Sequence, residues 1–129
     1  MSTAAAGNSD TQETIQLETG KKYGVTVLVN STSLQTVNLY LDGGATPAHT
    51  FTGQATGPET SNMGTYVFTA GSTGKASITV TSGTQASALT LRDVVDDSVD
   101  FSMVVIGAGA PNSSPQLFND VIIAVNGPL

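Results

Sequence analysis

The stretch from Tyr23 to Asn30 reads YGVTVLVN. Its larger apolar residues recur at every second position, as Tyr23, Val25, Val27 and Val29. The side chains of a β-strand point alternately to its two faces, so this alternation predicts a strand with one buried face. We therefore expect the fold to be built on sheets.

Other segments follow the same rhythm. Residues 36–42 and 75–81 also alternate apolar with polar residues. Two later runs, 103–106 and 121–125, are apolar at every position, which is expected for strands that are covered on both faces. A second subunit could supply one of those covers.

Turn residues separate these runs at intervals of about ten residues, and no segment has the apolar periodicity of a long helix. The pattern predicts an all-β fold, an antiparallel sandwich or barrel of about nine short strands. Residues 1–12 are small and polar and are predicted to form a flexible leader, so that residues 13–129 form a single domain. The aspartates of Arg92–Asp100 fall at helical spacing, but the β-branched valines between them favour a turn.

The charge of the chain excludes several partners. Its 129 residues include 4 Lys and Arg against 10 Asp and Glu, a net charge of −6. Such a chain lacks the basic face that nucleic acids and anionic membranes require. It contains no cysteine, no apolar run long enough to span a membrane and no classical secretory signal. A cytoplasmic location and release by another route both stay open.

Catalysis has little support in the sequence. His49 is the only histidine, and it stands at the head of a strand run, where an exposed or edge position is the simpler interpretation. The acidic segment 93–100 is better explained as a solvated turn than as the carboxylate pair of a glycosidase. Gly107–Ala110 follows a strand but precedes no helix, so it is not a phosphate loop. We predict that the protein is not an enzyme.

Polar side chains gather where two of the predicted strands meet their loops. Asn30–Ser33 closes the first strong strand, and Asn119–Asp120 opens the last one. Short amides, hydroxyls and a carboxylate are suitable ligands for sugar hydroxyls or for a hard cation.

These segments resemble a known family. YGVTVLVNS (23–31), QTVNLYLD (35–42), FTGQ (51–54), GSTGK (71–75) and the ending FNDVIIAVNGPL are similar, in order and spacing, to the LecB-type (PA-IIL-like) fucose- and mannose-binding bacterial lectins. The resemblance covers residues 14–129 almost throughout. It implies a nine-stranded, lectin-like Greek-key β-sandwich that pairs into homodimers or homotetramers, with paired calcium ions bridging the protein to a sugar.

The resemblance also implies roles for individual residues. Asn30, Asn119 and Asp120 match amide and carboxylate ligands of calcium, and Ser31, Thr32 and Ser33 match the loop that selects the monosaccharide. With the polar loop residues Asn112 and Ser114 added, the predicted sugar-binding set is complete.

One departure from the family is large. The family carries an acidic loop before its Asn-Asp pair, whereas residues 107–118 contain no Asp or Glu, and Leu117 stands where a bridging aspartate is expected. Two dications about 4 Å apart repel by roughly 16 kcal/mol at an effective dielectric of 20. We predict that the paired calcium site is absent and that Asn30, Asn119 and Asp120 hold at most one weakly bound ion.

Two functions follow from this reading. The first is a carbohydrate-binding protein that recognises a monosaccharide or glycan without paired calcium. The second is an oligomeric scaffold that has lost sugar binding, in which Leu117 and Phe118 pack against a neighbouring subunit.

Overall fold

The computed structural model describes residues 2–3, 10–56, 61–96 and 98–129 of the chain, and these residues form eleven strands. The strands are β1 Ser2–Thr3, β2 Glu13–Gln16, β3 Lys22–Val29, β4 Gln35–Leu41, β5 His49–Gly53, β6 Ser61–Thr69, β7 Lys75–Ser82, β8 Gln85–Ala86, β9 Ala88–Asp96, β10 Phe101–Gly109 and β11 Val121–Gly127. Nine of them have four or more residues. That number agrees with the sequence-based prediction.

The strands form two antiparallel sheets. The first has the order β1-β2-β7-β4-β5, with β8 paired to β7, and the second has the order β6-β3-β11-β10-β9. One continuous apolar core contains side chains from both sheets, so the sheets pack face to face. The predicted all-β antiparallel sandwich is confirmed. The described part of the chain contains no helix long and apolar enough to cross a membrane.

Strand β3 lies between β6 and β11 in the second sheet, and one of its faces is buried, as its alternation predicts. Its four inward residues, Tyr23, Val25, Val27 and Val29, are each 0% exposed. They lie opposite Phe68, Tyr66 and Gly64 of β6 on one side and opposite residues of β11 on the other. The partner on β11 of Val27 is Ile123, which is also fully buried.

The outer face of the second sheet differs from the prediction. The runs 103–106 and 121–125 were expected to be covered on both faces, but Val105 is 37% exposed and Met103, Ile122 and Ala124 are only partly buried. Within one chain, the sandwich covers only the inward side of these strands. Their outward side carries an apolar surface on β3, β11, β10 and β9, formed by Leu28, Ile122, Ala124, Met103, Val105, Phe101 and Val94. Thr26, Arg92 and Asn126 lie on the same face among these residues.

The acidic segment is a strand for longer than the sequence suggests. Strand β9 continues to Asp96, so the turn predicted over Arg92–Asp100 begins later than expected. Asp96 Oδ1 accepts hydrogen bonds from the backbone nitrogen and the hydroxyl of Ser98, at 3.1 and 2.6 Å. Asp97 lies outside the described residues.

Two described pieces of the start of the chain contact the sandwich. Ser2–Thr3 pairs with β2, and the carbonyl of Asp10 accepts a hydrogen bond from the nitrogen of Leu89 in the opposite sheet at 2.7 Å. Residues 1 and 4–9 of the predicted leader lie outside the described residues. A flexible leader over residues 1–12 stays a prediction.

Glu13 is an unusual member of the interior. It is 1% exposed, it lies opposite Ile78 of β7, and neither of its carboxyl oxygens has a hydrogen-bond partner within the described residues. Burial, and then the negative charge of nearby Asp10, raise its pKa from 4.5 to about 7. The ionised form of Glu13 therefore opposes folding.

We expect Val27→Asp to destabilise the domain by about 3–5 kcal/mol, because it places an unpaired charge in the core. The control is Thr52→Asp on the outer face of β5, where the wild-type side chain is exposed. Urea denaturation of both variants checks this. Equal losses of stability would contradict the assignment of the inner and outer faces.

Glu13 predicts a dependence of stability on pH. Its contribution is fully present below pH 4.5, where the carboxyl is protonated in both states, and is lost as the pH rises to about 7. The loss amounts to about 3 kcal/mol. Glu13→Gln should remove this dependence and be more stable than the wild type at pH 8. Denaturation curves of both proteins between pH 4 and 8 provide the measurement, and parallel profiles would contradict the prediction.

Candidate functional site

Two of the predicted site segments meet at one end of the second sheet. Strand β3 ends at Val29, which pairs with Val121, the first residue of β11. One step further out, the backbone nitrogen of Asn30 donates a hydrogen bond to the carbonyl of Asp120 at 2.8 Å. Residues that are ninety positions apart in the sequence are therefore neighbours.

The side chains at this junction are accessible. Asn30 and Asn119 are exposed and Asp120 is half-buried, and the backbone nitrogen of Asp120 is bonded to the carbonyl of Ala108 at 2.9 Å. The carboxylate of Asp120 makes no hydrogen bond to another described residue. Among the described residues it satisfies no backbone donor at the start of β11, and the backbone that carries it is bonded to both neighbouring strands.

The loop after Asn30 is held by the surrounding chain. The carbonyl of Ser31 accepts a hydrogen bond from the nitrogen of Ala55 at 2.7 Å, and the carbonyl of Thr32 accepts one from Gln54 Nε2 at 3.1 Å. The carbonyl of Ser33 accepts one from Gln35 Nε2 at 3.2 Å. The predicted loop Ser31–Ser33 thus lies beside Asn30 with its backbone turned toward the protein.

The second loop, residues 110–120, starts from the same end of the sheet. Gln116 Nε2 and Ser113 Oγ both donate to the carbonyl of Ala110, at 2.8 and 3.0 Å, which closes the outer part of the loop. The returning backbone then passes so close to the outer face of β10 that a Cβ at Gly109 would meet the carbonyl oxygen of Leu117. Gly107 and Gly109, in the segment that was considered as a phosphate loop, therefore leave the space that the returning backbone occupies.

Asn112 and Ser114 are also in this loop. Both are exposed, and Asn112 adopts a positive φ of 62°. No hydrogen bond within the described part of the chain joins either side chain to Asn30 or Asp120. Their part in a common site stays a prediction.

The donor set does not suit a pair of calcium ions. Asn30, Asn119 and Asp120 offer two amides and one carboxylate, whereas each calcium takes about six to eight oxygens. Over the described ranges, no three Asp, Glu, His or Cys side chains form a group that could hold a metal.

Leu129 lies at the opposite end of β3 from this junction. The nitrogen of Leu129 donates to the carbonyl of Lys22 at 2.8 Å, which places the chain end beside the first residue of β3. Lys22 and Asn30 are separated by about 26 Å of strand.

His49 occupies the first position of β5, the edge strand of the first sheet, as its simpler interpretation predicts. Its ring stacks on Tyr66, with the centroids 4.0 Å apart, and meets the edge of Phe51 at 4.6 Å. These contacts close the sandwich between β5 and β6. They give His49 a packing role.

Sequence reasoning missed Gln54 and Gln35 as parts of the site. Gln54 was noted only within the family-like stretch FTGQ, and Gln35 only within the family-like stretch QTVNLYLD. Their contacts with the loop depend on the pairing of β4 with β5 and β7, which brings positions 35, 53 and 82 side by side. Nothing local in the sequence marks them.

A search with protein-family models finds one that matches residues 15–129, described as fucose-binding lectin II (PA-IIL). No curated protein sequence matches the chain.

Several solved structures are similar. The C-terminal domain of the BC2L-C lectin from Burkholderia cenocepacia has a TM-score of 0.79 at 29% identity, covering 96% of this chain and 98% of that one. The Chromobacterium violaceum lectin CV2L, in complex with alpha-methyl-fucoside, has a TM-score of 0.76 at 30% identity, covering 90% and 96%. A high-affinity mannose-binding lectin from Ralstonia solanacearum shares the fold, with a TM-score of 0.76 at 24% identity, covering 90% and 96%.

Proposed function

The chain belongs to the fucose-binding lectin II (PA-IIL) family, and from this premise we propose that it binds a fucose- or mannose-type monosaccharide at the junction of Asn30 and Asp120. The chain binds carbohydrate without converting it chemically. The loop Ser31–Ser33 and the residues Asn112, Ser114 and Asn119 complete the binding surface.

One observation carries this proposal. The hydrogen bond from the Asn30 nitrogen to the Asp120 carbonyl, at 2.8 Å, fixes an amide side chain and a carboxylate side by side at a sheet end. A carboxylate accepts hydrogen bonds from two sugar hydroxyls, while an amide both donates and accepts. Hydrogen bonds to a charged acceptor are the stronger kind, so Asp120 is the principal ligand of the sugar.

Direct contact replaces calcium bridging in this proposal. Calcium, which the family resemblance implies, would need several more anionic oxygens than Asp120 supplies. The absence of acidic residues from 110–119 supports recognition without a paired ion. A single weakly bound ion at Asn30, Asn119 and Asp120 is the most that these ligands favour.

We expect methyl α-fucoside or methyl α-mannoside to bind the wild-type protein with the same affinity in calcium and in chelator. Asp120→Ala and Asn30→Ala should each weaken binding by about tenfold or more. Asp93→Ala, which removes an exposed charge from β9, is the control and should change the affinity by less than about twofold. Isothermal titration calorimetry measures all of these. Binding that disappears in chelator would overturn recognition by direct contact.

The exposed apolar surface of the second sheet favours a second candidate, an oligomeric scaffold. Leu117 is 56% exposed and Phe118 is half-buried beside this surface. A cluster of exposed apolar side chains on one face of a small domain is typical of a protein–protein contact. We propose that a second copy of the chain covers it in a homodimer, whether or not the sugar site is functional.

Sedimentation velocity tests this surface. We expect the wild-type protein to sediment as a dimer or larger oligomer and Val105→Asp to shift it to monomer, because the charge would be buried between subunits. Thr52→Asp, on the exposed face of β5 in the other sheet, is the control and should leave the oligomer intact. A monomeric wild-type protein would remove the scaffold function.

A further inference from the structure

We propose that Gln54 is a positioning residue of the sugar site. It acts on the sugar through the loop Ser31–Leu34, which it holds together with Gln35, and it sets how sharply the protein distinguishes one monosaccharide from another. The inference rests on the function proposed above. It adds a residue outside the ligand set and a cause for specificity.

Four consecutive carbonyls of this loop are each bonded to a donor from elsewhere in the fold. The carbonyls of Ser31 and Thr32 are bonded to the segment after β5. The carbonyl of Ser33 is bonded to β4, and that of Leu34 is bonded to the turn after β7. The donors, in order, are Ala55 N at 2.7 Å, Gln54 Nε2 at 3.1 Å, Gln35 Nε2 at 3.2 Å and Gly83 N at 3.4 Å. The loop has no regular secondary structure, yet every one of its carbonyls is bonded.

The consequence is a loop whose backbone faces the protein while its side chains face solvent. The side chains of Thr32 and Ser33 are exposed, and their hydroxyls make no hydrogen bond within the described residues. The nitrogen of Ser33 donates to Ser31 Oγ at 3.1 Å, which tightens the turn further. Ordering that is complete before a ligand arrives lowers the entropic cost of binding.

The two glutamines do not hold the loop for the same reason. Gln35 is 1% exposed, and its Nε2 also donates to Ser82 Oγ at 3.1 Å, while its Oε1 is buried without a hydrogen-bond partner among the described residues. It ties the loop to the interior of the sandwich. Gln54 is exposed and makes no contact that the core requires. Its bond to Thr32 therefore serves the position of the loop.

Position matters because fucose, a 6-deoxy sugar, and mannose present different arrangements of hydroxyls. A site that is built to bond a hydroxyl at one point rejects the sugar that has none there, since its own polar groups are then left unpaired. A loop that is free to move would adapt to either sugar. The bond from Gln54 to the Thr32 carbonyl keeps the loop in one position, and this fixed position lets the site distinguish one sugar from another.

The test uses the full chain and two variants of Gln54. Gln54→Glu is isosteric but presents an oxygen to the Thr32 carbonyl in place of a donor, and Gln54→Ala removes the bond without adding charge. The matched control is Gln16→Glu, because Gln16 Nε2 makes the same kind of bond to the carbonyl of Thr73, at 2.7 Å, at the other end of the first sheet. Calorimetry gives the Kd for methyl α-fucoside and for methyl α-mannoside, and amide exchange reports the Ser33 nitrogen.

In both Gln54 variants we expect the Kd for the preferred sugar to rise about tenfold, the ratio of the two Kd values to move toward one, and Ser33 to exchange faster. Melting temperature should hardly change, and Gln16→Glu should match the wild type throughout. Unchanged affinities, or weaker binding with an unchanged ratio, would overturn the positioning role alone. A wild-type protein that binds neither sugar overturns the proposed function and this role together.

Discussion

The pairing of β3 with β11 is the constraint on which the rest of the structure depends. These two strands form the middle of the second sheet, and each places an unbroken row of fully buried aliphatic side chains against the first sheet. Burial of that row fixes the register, because a slip by one residue would turn every inward side chain to solvent. The same register sets Asn30 against Asp120. The geometry of the candidate site is thus a by-product of core packing.

The strands and their buried faces were predictable from the sequence. A strand with one buried face has apolar residues at every second position, and this alternation can be read directly. Tyr23–Asn30 shows it, and the strand and its buried face followed from it. The strand spacing left a sandwich or a barrel open, and the family resemblance favoured the sandwich. The covering of the outer face was not predictable in the same way. The apolar residues at 103–106 indicate that both faces of this strand are shielded from water. Only the structure shows that the first sheet covers one face and that no other described strand of the same chain covers the other.

The contacts of Gln35 and Gln54 were unpredictable for a different reason. A hydrogen bond between a side chain and a distant carbonyl leaves no periodic signal, and it depends on strand pairings that bring distant positions together. The family resemblance pointed to Asn30, Asn119 and Asp120, which are ligands by type. It did not identify the residues that orient a loop.

The distribution of charge separates the acidic character of the chain from its binding site. Asp93, Asp96 and Asp100 lie along β9 and its turn to β10, whereas Asp120 lies beside Ala108 at the far end of β10. The site therefore has little negative potential of its own beyond one carboxylate. A neutral ligand suits such a site better than a cluster of cations, which agrees with recognition by hydrogen bonds.

The close contact between the end of the second loop and the glycines of β10 suggests how the protein could be redesigned. A Cβ at Gly107 would come within 2.9 Å of Phe118 Cβ, and one at Gly109 would meet the backbone of Leu117. The contact of Leu117 and Phe118 with β10 therefore involves these two glycines and not the outer arm of the loop, residues 110–116. Combinatorial libraries could vary this arm in length and composition while both glycines stay constant, which would make the scaffold a source of new recognition reagents.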